Sequence, residues 1–207
     1  VYGWYASAAN HIETWQFDDG SVLTAAEIQA WADNLAPLVA EPIAAQSANE
    51  DASFNFVVPA GTFSDPNPGD VLHYSASLVD GGALPGWLSF DAATGTFSGT
   101  PANGDVGSLS VRVTATDNYG VSTAADFVLA VQNTNDAPVL ANAIADQVAT
   151  EGEAFSYQIA TDTFSDVDAG AGDTLTLSAT LADGSSLPTW LSFDAATRTF
   201  SGTPTNA

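Results

Sequence analysis

The sequence contains no cysteine, no methionine and no lysine. The missing cysteines exclude a disulfide framework and leave the cellular compartment open. Arg112 and Arg198 are the only lysine or arginine residues against 25 acidic ones, which gives a net charge of -23. Such a chain does not attract nucleic acid or an anionic membrane surface. No run of about 18 apolar residues is present, so we expect no direct membrane insertion.

The chain does not begin with methionine, and its 45% apolar composition predicts a folded protein. We expect it to be an internal part of a longer protein. Its excess of carboxylates opposes compaction through self-repulsion, which salt or bound divalent cations relieve. Calcium is therefore an early candidate ligand.

Little in the sequence indicates catalysis. The two histidines are His11 and His73. They do not form the His-Glu-x-x-His motif of zinc proteases. The absence of cysteine and lysine excludes a cysteine nucleophile and a Ser–Lys pair. A pair of carboxylates could hydrolyse a glycoside, but some pair among 25 acids will always have a suitable spacing, so such a pair is not evidence for this activity. We therefore expect a protein that is not an enzyme.

The chain is a tandem repeat. Fourteen of the fifteen residues 87–101 return unchanged at 190–204, an offset of 103. Upstream matches such as Glu50 with Glu151 and Phe54 with Phe155 have an offset of 101. A period near 100 residues predicts independent domains rather than a solenoid.

Within each repeat, short segments alternate between apolar and polar residues, with Gly, Pro, Asn and Asp between them. This pattern predicts an all-β sandwich in each repeat. The second repeat has no counterpart of 104–132, and therefore of its last two strands. The residues predicted to face inward are Phe54, Phe56, Val58, Leu72, Tyr74, Ala76, Leu78, Leu109, Val111, Val113, Ala115, Phe127, Leu129 and Val131, with Phe155, Tyr157, Ile159, Leu175, Leu177, Ala179 and Leu181 in the second copy.

Residues 1–35 lie outside the repeats. Alternation over 12–17, the Asp18-Asp19-Gly20 turn and a return strand over 21–23 predict a hairpin. The capping-box spacing of Thr24 and Glu27 predicts a following helix, with an apolar face at Ile28, Trp31, Ala32 and Leu35. The segment resembles the region that follows the calcium-binding nonapeptides of haemolysin-type secreted proteins. We therefore predict a hairpin-helix segment over 1–35, a sandwich over 36–136 and an incomplete sandwich over 137–207.

Acidic loops recur in both repeats. Residues 65–70 align with 166–173 and keep oxygen-bearing side chains at the first, third and last positions. Hard cations such as calcium take six to eight oxygen ligands. The spacing is not that of an EF-hand, and ordinary turn formation is the alternative for these residues.

The repeated Trp-Leu-Ser-Phe-Asp to Ser-Gly-Thr-Pro block resembles the signature of bacterial cadherin-like, dystroglycan-type domains, which are also described as immunoglobulin-like. The resemblance covers 36–136 and about two thirds of a second copy. It implies tandem immunoglobulin- or cadherin-like β-sandwiches, the second one incomplete. It also implies calcium bound between successive domains, by a Glu near the first strand, a linker, an acidic loop and a strand end. The implied metal ligands are Glu50, Asp65, Asn67, Asp70, Asp117, Asn135, Asp136, Glu151, Asp166, Asp168 and Asp173.

The sequence departs from the cadherin pattern in two places. The Asp-Arg-Glu motif has no counterpart, and the linker between the repeats begins with Asn133 instead of Asp. The linker before the first repeat, 32–35, matches less well still. The resemblance therefore favours a calcium site at the central junction, formed by Glu50, Asn135, Asp136, Asp166 and Asp168, with Asp117 assigned to the preceding junction.

These features favour a calcium-binding, extracellular adhesion or spacer module of a large secreted or surface bacterial protein. Its implied partners are calcium and a cell-surface protein or polysaccharide. One alternative is a carbohydrate-binding accessory module of a polysaccharide-degrading enzyme, with Trp87 and Trp190 as sugar platforms. Their place in the repeated block favours core anchors instead. A calcium-free spacer is the third interpretation.

Overall fold

The structure is a computed structural model that describes residues 14–170 and 172–205. The chain divides into two compact units, Val1–Gln132 and Asn133–Ala207. Residues 12 and 13 of the predicted first strand lie outside the described part. Each unit is described by itself below.

A hairpin and a helix precede the first repeat. Strands β1 (Thr14–Gln16) and β2 (Val22–Thr24) pair antiparallel, and α1 (Ala25–Ala32) follows directly. The predicted capping box is confirmed. The Glu27 amide donates to Thr24 Oγ1 (3.2 Å), and the Thr24 amide donates to Glu27 Oε2 (2.7 Å). These bonds satisfy two groups that a helix leaves unpaired at its start.

The apolar face predicted for α1 is not buried. No residue of the helix is buried against the described part of the chain, and Trp31 is 66% exposed. The helix ends at Ala32, so Leu35 lies beyond it rather than on its last turn. The capping box and local propensity therefore define this helix, and packing of its apolar side chains contributes little.

The first repeat is a β-sandwich. One layer is a four-stranded sheet in the order β4-β11-β10-β7, and the other is a three-stranded sheet in the order β5-β9-β8. A short pair, β3-β6, lies beside them. The strands are β3 (Leu38–Val39), β4 (Gln46–Asn49), β5 (Phe54–Val57), β6 (Phe63–Ser64), β7 (His73–Leu78), β8 (Leu88–Asp91), β9 (Thr96–Gly99), β10 (Gly107–Thr116) and β11 (Ser122–Gln132).

Strands β10 and β11 organise the four-stranded sheet. They form an antiparallel ladder from Gly107 opposite Val131 to Thr116 opposite Ser122. On the outer sides, β10 pairs antiparallel with β7 and β11 pairs parallel with β4. The predicted inward residues of this hairpin are confirmed, since Val111, Val113, Ala115 and Leu129 are fully buried. Alternation with a period of two made that face predictable.

The repeated tryptophan block forms the β8-β9 hairpin. Phe90 and Phe97 lie opposite each other with ring centroids 4.6 Å apart, and Phe97 is fully buried. Trp87 is half-buried and packs against the core cluster. An ideal Cβ on Gly99 would lie 1.9 Å from the Trp87 carbonyl oxygen. The glycine of the signature is therefore required by this close backbone approach.

We predict that Gly99→Ala will destabilise the first unit, because its new methyl group cannot coexist with the Trp87 carbonyl. The expected loss is about 1–3 kcal/mol, the usual cost of overpacking. Chemical denaturation followed by tryptophan fluorescence measures it. Gly86→Ala is the matched control, since a Cβ there meets nothing within 4 Å. Equal stability of the two variants would contradict this account of the signature glycine.

The second unit keeps the three-stranded layer. Strands β13, β16 and β15 form a sheet in that order, and β12 pairs with β14. Val167–Gly170 is a short 3-10 turn. The strands are β12 (Val139–Leu140), β13 (Phe155–Gln158), β14 (Phe164–Ser165), β15 (Leu191–Asp194) and β16 (Thr199–Gly202).

The strand predicted at Leu175 to Leu181 is not formed. Its counterpart in the first unit, β7, has β10 as its only neighbour in the described sheet. Residues 137–205 contain no counterpart of β10, so this segment has no ladder to join among the described residues. The side-chain alternation was present, but a strand also needs a partner for its backbone groups.

The second unit is consequently less buried than the first. Phe54, Leu88 and Phe97 are buried in the first unit, whereas their counterparts Phe155, Leu191 and Phe200 are only half-buried. Leu175 and Leu181 are 40% and 44% exposed. Ile159 is an exception at 5% exposed.

We predict that residues 137–205 open more readily than 36–132, because less apolar surface is removed from water there. Hydrogen exchange followed by mass spectrometry provides the measurement. Amides of β13 and β16 should exchange at least tenfold faster than those of their counterparts β5 and β9. Slower exchange in the second unit would contradict the prediction.

Candidate metal centre

Three carboxylates converge at one end of the first sandwich. Asp117 directly follows strand β10, and Asp65 and Asp70 lie in the loop between β6 and β7. One oxygen from each carboxylate lies within 4.8 Å of the other two. Oxygens on opposite sides of a calcium ion are separated by about twice its ligand distance of 2.3–2.6 Å. The spacing of the three carboxylates therefore fits a shared calcium ion.

Asp117 is the most buried member of the cluster, at 3% exposed. Its Oδ1 accepts hydrogen bonds from the amides of Tyr119 (2.8 Å) and Val121 (2.9 Å). Its Oδ2 accepts one from Asn34 Nδ2 (2.7 Å). Burial acts to raise the pKa of Asp117, but these hydrogen bonds together outweigh it and hold the pKa below its ordinary value of 3.8. The carboxylate is therefore charged at neutral pH.

Asn67 ties the acidic loop to the segment that leads into the first repeat. Its Oδ1 accepts a hydrogen bond from the Leu35 amide (2.8 Å), and its Nδ2 donates to the Asp33 carbonyl (3.4 Å). The Asn67 amide in turn donates to Asp65 Oδ1 (2.8 Å). Together with the bond from Asn34 to Asp117, these contacts fix the 33–35 segment beside the three carboxylates.

Three oxygens of this cluster have no hydrogen-bond donor among the described residues. They are Asn34 Oδ1, Asp65 Oδ2 and Asp70 Oδ2, and each atom is shielded from solvent. A shielded acceptor without a donor is costly, and such groups in proteins are usually explained by water or an ion. The oxygen donor set of two carboxylates and one amide carbonyl suits a hard cation such as calcium.

No positive side chain of the described residues compensates the cluster. Arg112 forms an ion pair with Asp126 (2.7 Å), and Arg198 donates to the Ile159 carbonyl (3.3 Å). Both arginines of the chain are thus engaged elsewhere. Three adjacent carboxylates without a counter-ion repel one another, so the arrangement favours an external cation.

The second unit repeats part of this arrangement. The Asp136 amide donates to Asp168 Oδ2 (2.5 Å), as Leu35 does to Asn67, and the Asp168 amide donates to Asp166 Oδ1 (2.9 Å). Asp168 is 1% exposed, and Asp166 Oδ2 is shielded without a donor among the described residues. Asp173 Oδ1 accepts a hydrogen bond from the Thr174 amide (2.7 Å).

Glu50, Asn135 and Glu151 are predicted ligands that do not belong to the group of Asp65, Asp70 and Asp117. Glu50 is 1% exposed, and its amide donates to the Gln132 carbonyl (3.0 Å). Asn135 is exposed and donates through Nδ2 to the Asp136 carbonyl (3.0 Å). Glu151 is exposed. Because Glu50 belongs to the first unit and Asn135, Asp136, Asp166 and Asp168 to the second, the junction site stays a prediction.

Asn34 was not among the predicted ligands, although it contacts Asp117 directly. The signal that identifies it is the repeat itself. Asn34 and Asn135 are 101 residues apart, and in both copies one residue separates the Asn from an Ala-Pro pair. The sequence favoured a metal site at the central junction over one at the start of the first repeat. The structure brings three carboxylates together at the start of the first repeat.

The family comparison accounts for the repeat. The model of the family described as "Putative Ig domain" matches residues 36–132 and again 137–207. The chain belongs to this family. The two matches support tandem immunoglobulin-like domains with an all-β sandwich fold, as predicted from the alternation. Members of this family are typically non-catalytic modules. The haemolysin-type resemblance of 1–35 stays a prediction.

Several solved structures are similar to parts of the chain. An endo-fucoidan hydrolase of glycoside hydrolase family 107 is 25% identical over 84% of this chain and 25% of its own, with a TM-score of 0.42. Protocadherin gamma B7 cadherin domains 1–4 are 17% identical over 64% of this chain and 40% of theirs (TM-score 0.41). Drosophila N-cadherin domains EC1–3 are 19% identical over 49% and 35% (TM-score 0.35). This chain therefore spans less than half of each.

No curated protein matches the chain. Within 14–170 and 172–205, no helix is long and apolar enough to cross a membrane.

We predict that Asp117→Ala lowers the melting temperature of the calcium-free protein by several degrees, because two backbone amides and the Asn34 amide lose their acceptor. Since the folded-state pKa is depressed, the stabilisation is complete well above pH 3.8 and is lost as the pH falls below that value. Melting curves from pH 7 to pH 2.5 measure both effects.

Asp91→Ala is the control for this experiment. Asp91 also accepts two hydrogen bonds, from the Ala93 amide and the Thr94 hydroxyl, but it is exposed, so water can replace it. If Asp91→Ala lowered the melting temperature as much as Asp117→Ala, burial of the Asp117 carboxylate would not explain the effect.

Proposed function

We propose that the protein is a calcium-binding adhesion or spacer module that acts outside the cell, and that the first repeat binds a calcium ion through Asp65, Asp70 and Asp117. The observation that carries this proposal is the convergence of these carboxylates around shielded oxygens that lack donors. The family, whose immunoglobulin-like domains usually occur outside the cell or at its surface, supports the non-catalytic part of the proposal.

The donor set indicates the cation and its affinity. Three carboxylates and the Asn34 carbonyl oxygen provide four protein ligands, and water would complete the six to eight that calcium takes. Magnesium demands nearly ideal octahedral geometry at 2.0–2.1 Å and gives up its water reluctantly, which a loosely spaced cluster serves less well. With few protein ligands, we expect a dissociation constant on the order of 10⁻⁴–10⁻³ M, as in extracellular modules.

Calcium would stiffen the start of the first unit. The 33–35 segment now reaches the acidic loop through hydrogen bonds to Asn67 and the strand end through the bond from Asn34 to Asp117. A cation held by Asp65, Asp70 and Asp117 would remove their repulsion and add a strong link between the loop and β10. Such links make the module stiffer. An adhesion or spacer module needs stiffness, because it holds attached domains in position or transmits force along the chain.

A corresponding site in the second unit is part of the same proposal. Asp166 and Asp168 occupy the loop positions of Asp65 and Asn67, and Asp168 is nearly fully buried. Asp136, whose amide donates to Asp168, is a third acidic residue at this loop. The loop corresponds to the one that carries Asp65 and Asn67 in the first repeat.

The carbohydrate-binding alternative receives less support. A sugar platform needs an exposed aromatic face, whereas Trp87 packs against the core cluster of the first unit. Trp190 contacts Phe155 edge-on with ring centroids 6.5 Å apart. Both contacts indicate anchoring of the sandwich.

Calcium titration tests the proposal. We expect calcium at 10–100 times its dissociation constant to stabilise the first unit by about 1.4–2.7 kcal/mol, and chelator to reverse the effect. Calorimetry should give a dissociation constant below about 1 mM, and hydrogen exchange should slow at 33–35, 65–70 and 117–121. No heat, no stabilisation and unchanged exchange at 10 mM calcium would leave the calcium-free spacer interpretation.

The matched variants are Asp70→Asn and Asp80→Asn. Both remove one charge, but Asp80 lies in an exposed turn where an asparagine oxygen can still accept the bond from the Gly82 amide. We expect Asp70→Asn to weaken calcium binding at least tenfold and Asp80→Asn to leave it unchanged. Equal weakening would indicate general charge screening instead of a site.

A further inference from the structure

Asn118 directly follows Asp117 and contacts the segment that leads into β7. Its side-chain Nδ2 donates to the Val71 carbonyl (3.3 Å), and its Oδ1 accepts a hydrogen bond from the Val71 amide (3.2 Å). The reverse orientation of this side-chain amide would face oxygen toward oxygen and nitrogen toward nitrogen, so its two partners define the orientation. One side chain therefore holds both backbone groups of a single residue.

This contact continues the ladder between β7 and β10. The last backbone pair of the ladder is His73 opposite Thr116. Near its other end, the Val79 amide donates to the Ser110 carbonyl (2.9 Å). Because bonded and unbonded pairs alternate in an antiparallel ladder, His73 and Thr116 also form a bonded pair in this register. The side-chain contact lies two residues beyond them on both segments, at the next bonded position.

The backbone of Asn118 does not serve this position because it belongs to a turn. The Asp117 amide donates to the Val121 carbonyl (3.0 Å), and the Gly120 amide donates to the Asp117 carbonyl (3.3 Å). The same turn directs the Tyr119 and Val121 amides to Asp117 Oδ1. A side-chain amide offers the donor and the acceptor of a peptide group. Asn118 therefore replaces the backbone groups that the turn withdraws from the ladder.

The contact also holds one of the three carboxylates, because Asp70 immediately precedes Val71. One oxygen of Asp70 lies within 4.8 Å of one oxygen of Asp117. Its Oδ2 has no hydrogen-bond donor among the described residues, and its amide donates to the Asn67 carbonyl (3.3 Å) within its own loop. The side chain of Asn118 thus links the Asp70 end of the acidic loop to the strand end that carries Asp117.

We propose that Asn118 is a positioning residue of the calcium site, which keeps Asp70 at the distance from Asp117 that a shared ion requires. This role rests on the calcium binding proposed above. Asn118 is not itself a ligand, since its oxygen already accepts the bond from the Val71 amide. Without this contact, calcium has to order the segment that carries Asp70 when it binds, and such ordering lowers affinity.

Asn118→Ala tests this role in calcium titrations of the full chain. We expect the variant to bind calcium about threefold to tenfold more weakly, which is the range that one hydrogen bond accounts for. Asn118 is exposed, so the variant should fold like the parent chain. Asn55→Ala is the matched control, because Asn55 is exposed on β5 and its side chain has no hydrogen bond among the described residues. Unchanged affinity of Asn118→Ala, or equal weakening in both variants, would overturn the proposal.

A double-mutant cycle with Asp70→Asn shows whether Asn118 acts through Asp70. If it does, Asn118→Ala should weaken calcium binding by a smaller factor in a chain that already carries Asp70→Asn. The rise of the melting temperature with calcium concentration measures the weak binding of these variants. The same factor in both backgrounds would overturn the positioning role, because the two residues would then act independently.

Hydrogen exchange of the calcium-free protein tests the contact directly. We expect the Val71 amide to exchange about threefold to tenfold faster in Asn118→Ala than in the parent chain and in Asn55→Ala. Equal exchange in all three proteins would overturn the proposal. No calcium binding by the parent chain would remove the proposed function and this role with it. Calcium binding by the parent chain that Asn118→Ala leaves unchanged would remove the positioning role alone.

Discussion

The pairing of β10 with β11 is the interaction on which the rest of the first unit depends. This ladder extends from Gly107 to Thr116 and gives both outer strands of the sheet their partners. It also brings four fully buried side chains onto the three-stranded layer. Asp117 directly follows β10, so the same ladder positions the metal cluster. Core and candidate site therefore share one structural support.

The second repeat shows how far local sequence determines structure without that support. The β13-β16-β15 sheet forms with the same registers as its counterpart, because all three of its strands and its close glycine contact are present in the second copy. The turn that holds Gly95 at φ 65° in the first copy holds Arg198 at φ 57° in the second. By contrast, the segments whose counterparts pair with β10 and β11 remain outside any sheet, because residues 137–205 contain no such strands. Backbone groups form a strand only where another strand accepts and donates their hydrogen bonds.

Carboxylates have two different roles in this chain. Asp19, Asp80, Asp91, Asp183 and Asp194 accept hydrogen bonds from amides two residues later, which is the usual turn-forming role of aspartate. Hydrogen bonds from the Thr94 hydroxyl and the Ala93 amide lower the pKa of Asp91, and those from the Ser185 hydroxyl and amide lower the pKa of Asp183. Asp65 and Asp70 instead each retain a shielded oxygen without a donor among the described residues. Unsatisfied oxygens, and not the number of acids, therefore distinguish the candidate site from the turns.

The sequence alone determined the repeat, the all-β class, the capping box and the inward faces of β10 and β11, because each depends on residues close together in the chain or on a period of two. Tertiary structure decided which predicted ligands meet. Asp117 lies 47 residues from Asp70 in sequence, and Asn34 joins it from the segment before the repeat. It also decided that 176–181 forms no strand and that the apolar side chains of α1 stay exposed. Local patterns specify which face of a segment is apolar, but only distant contacts determine whether anything covers it.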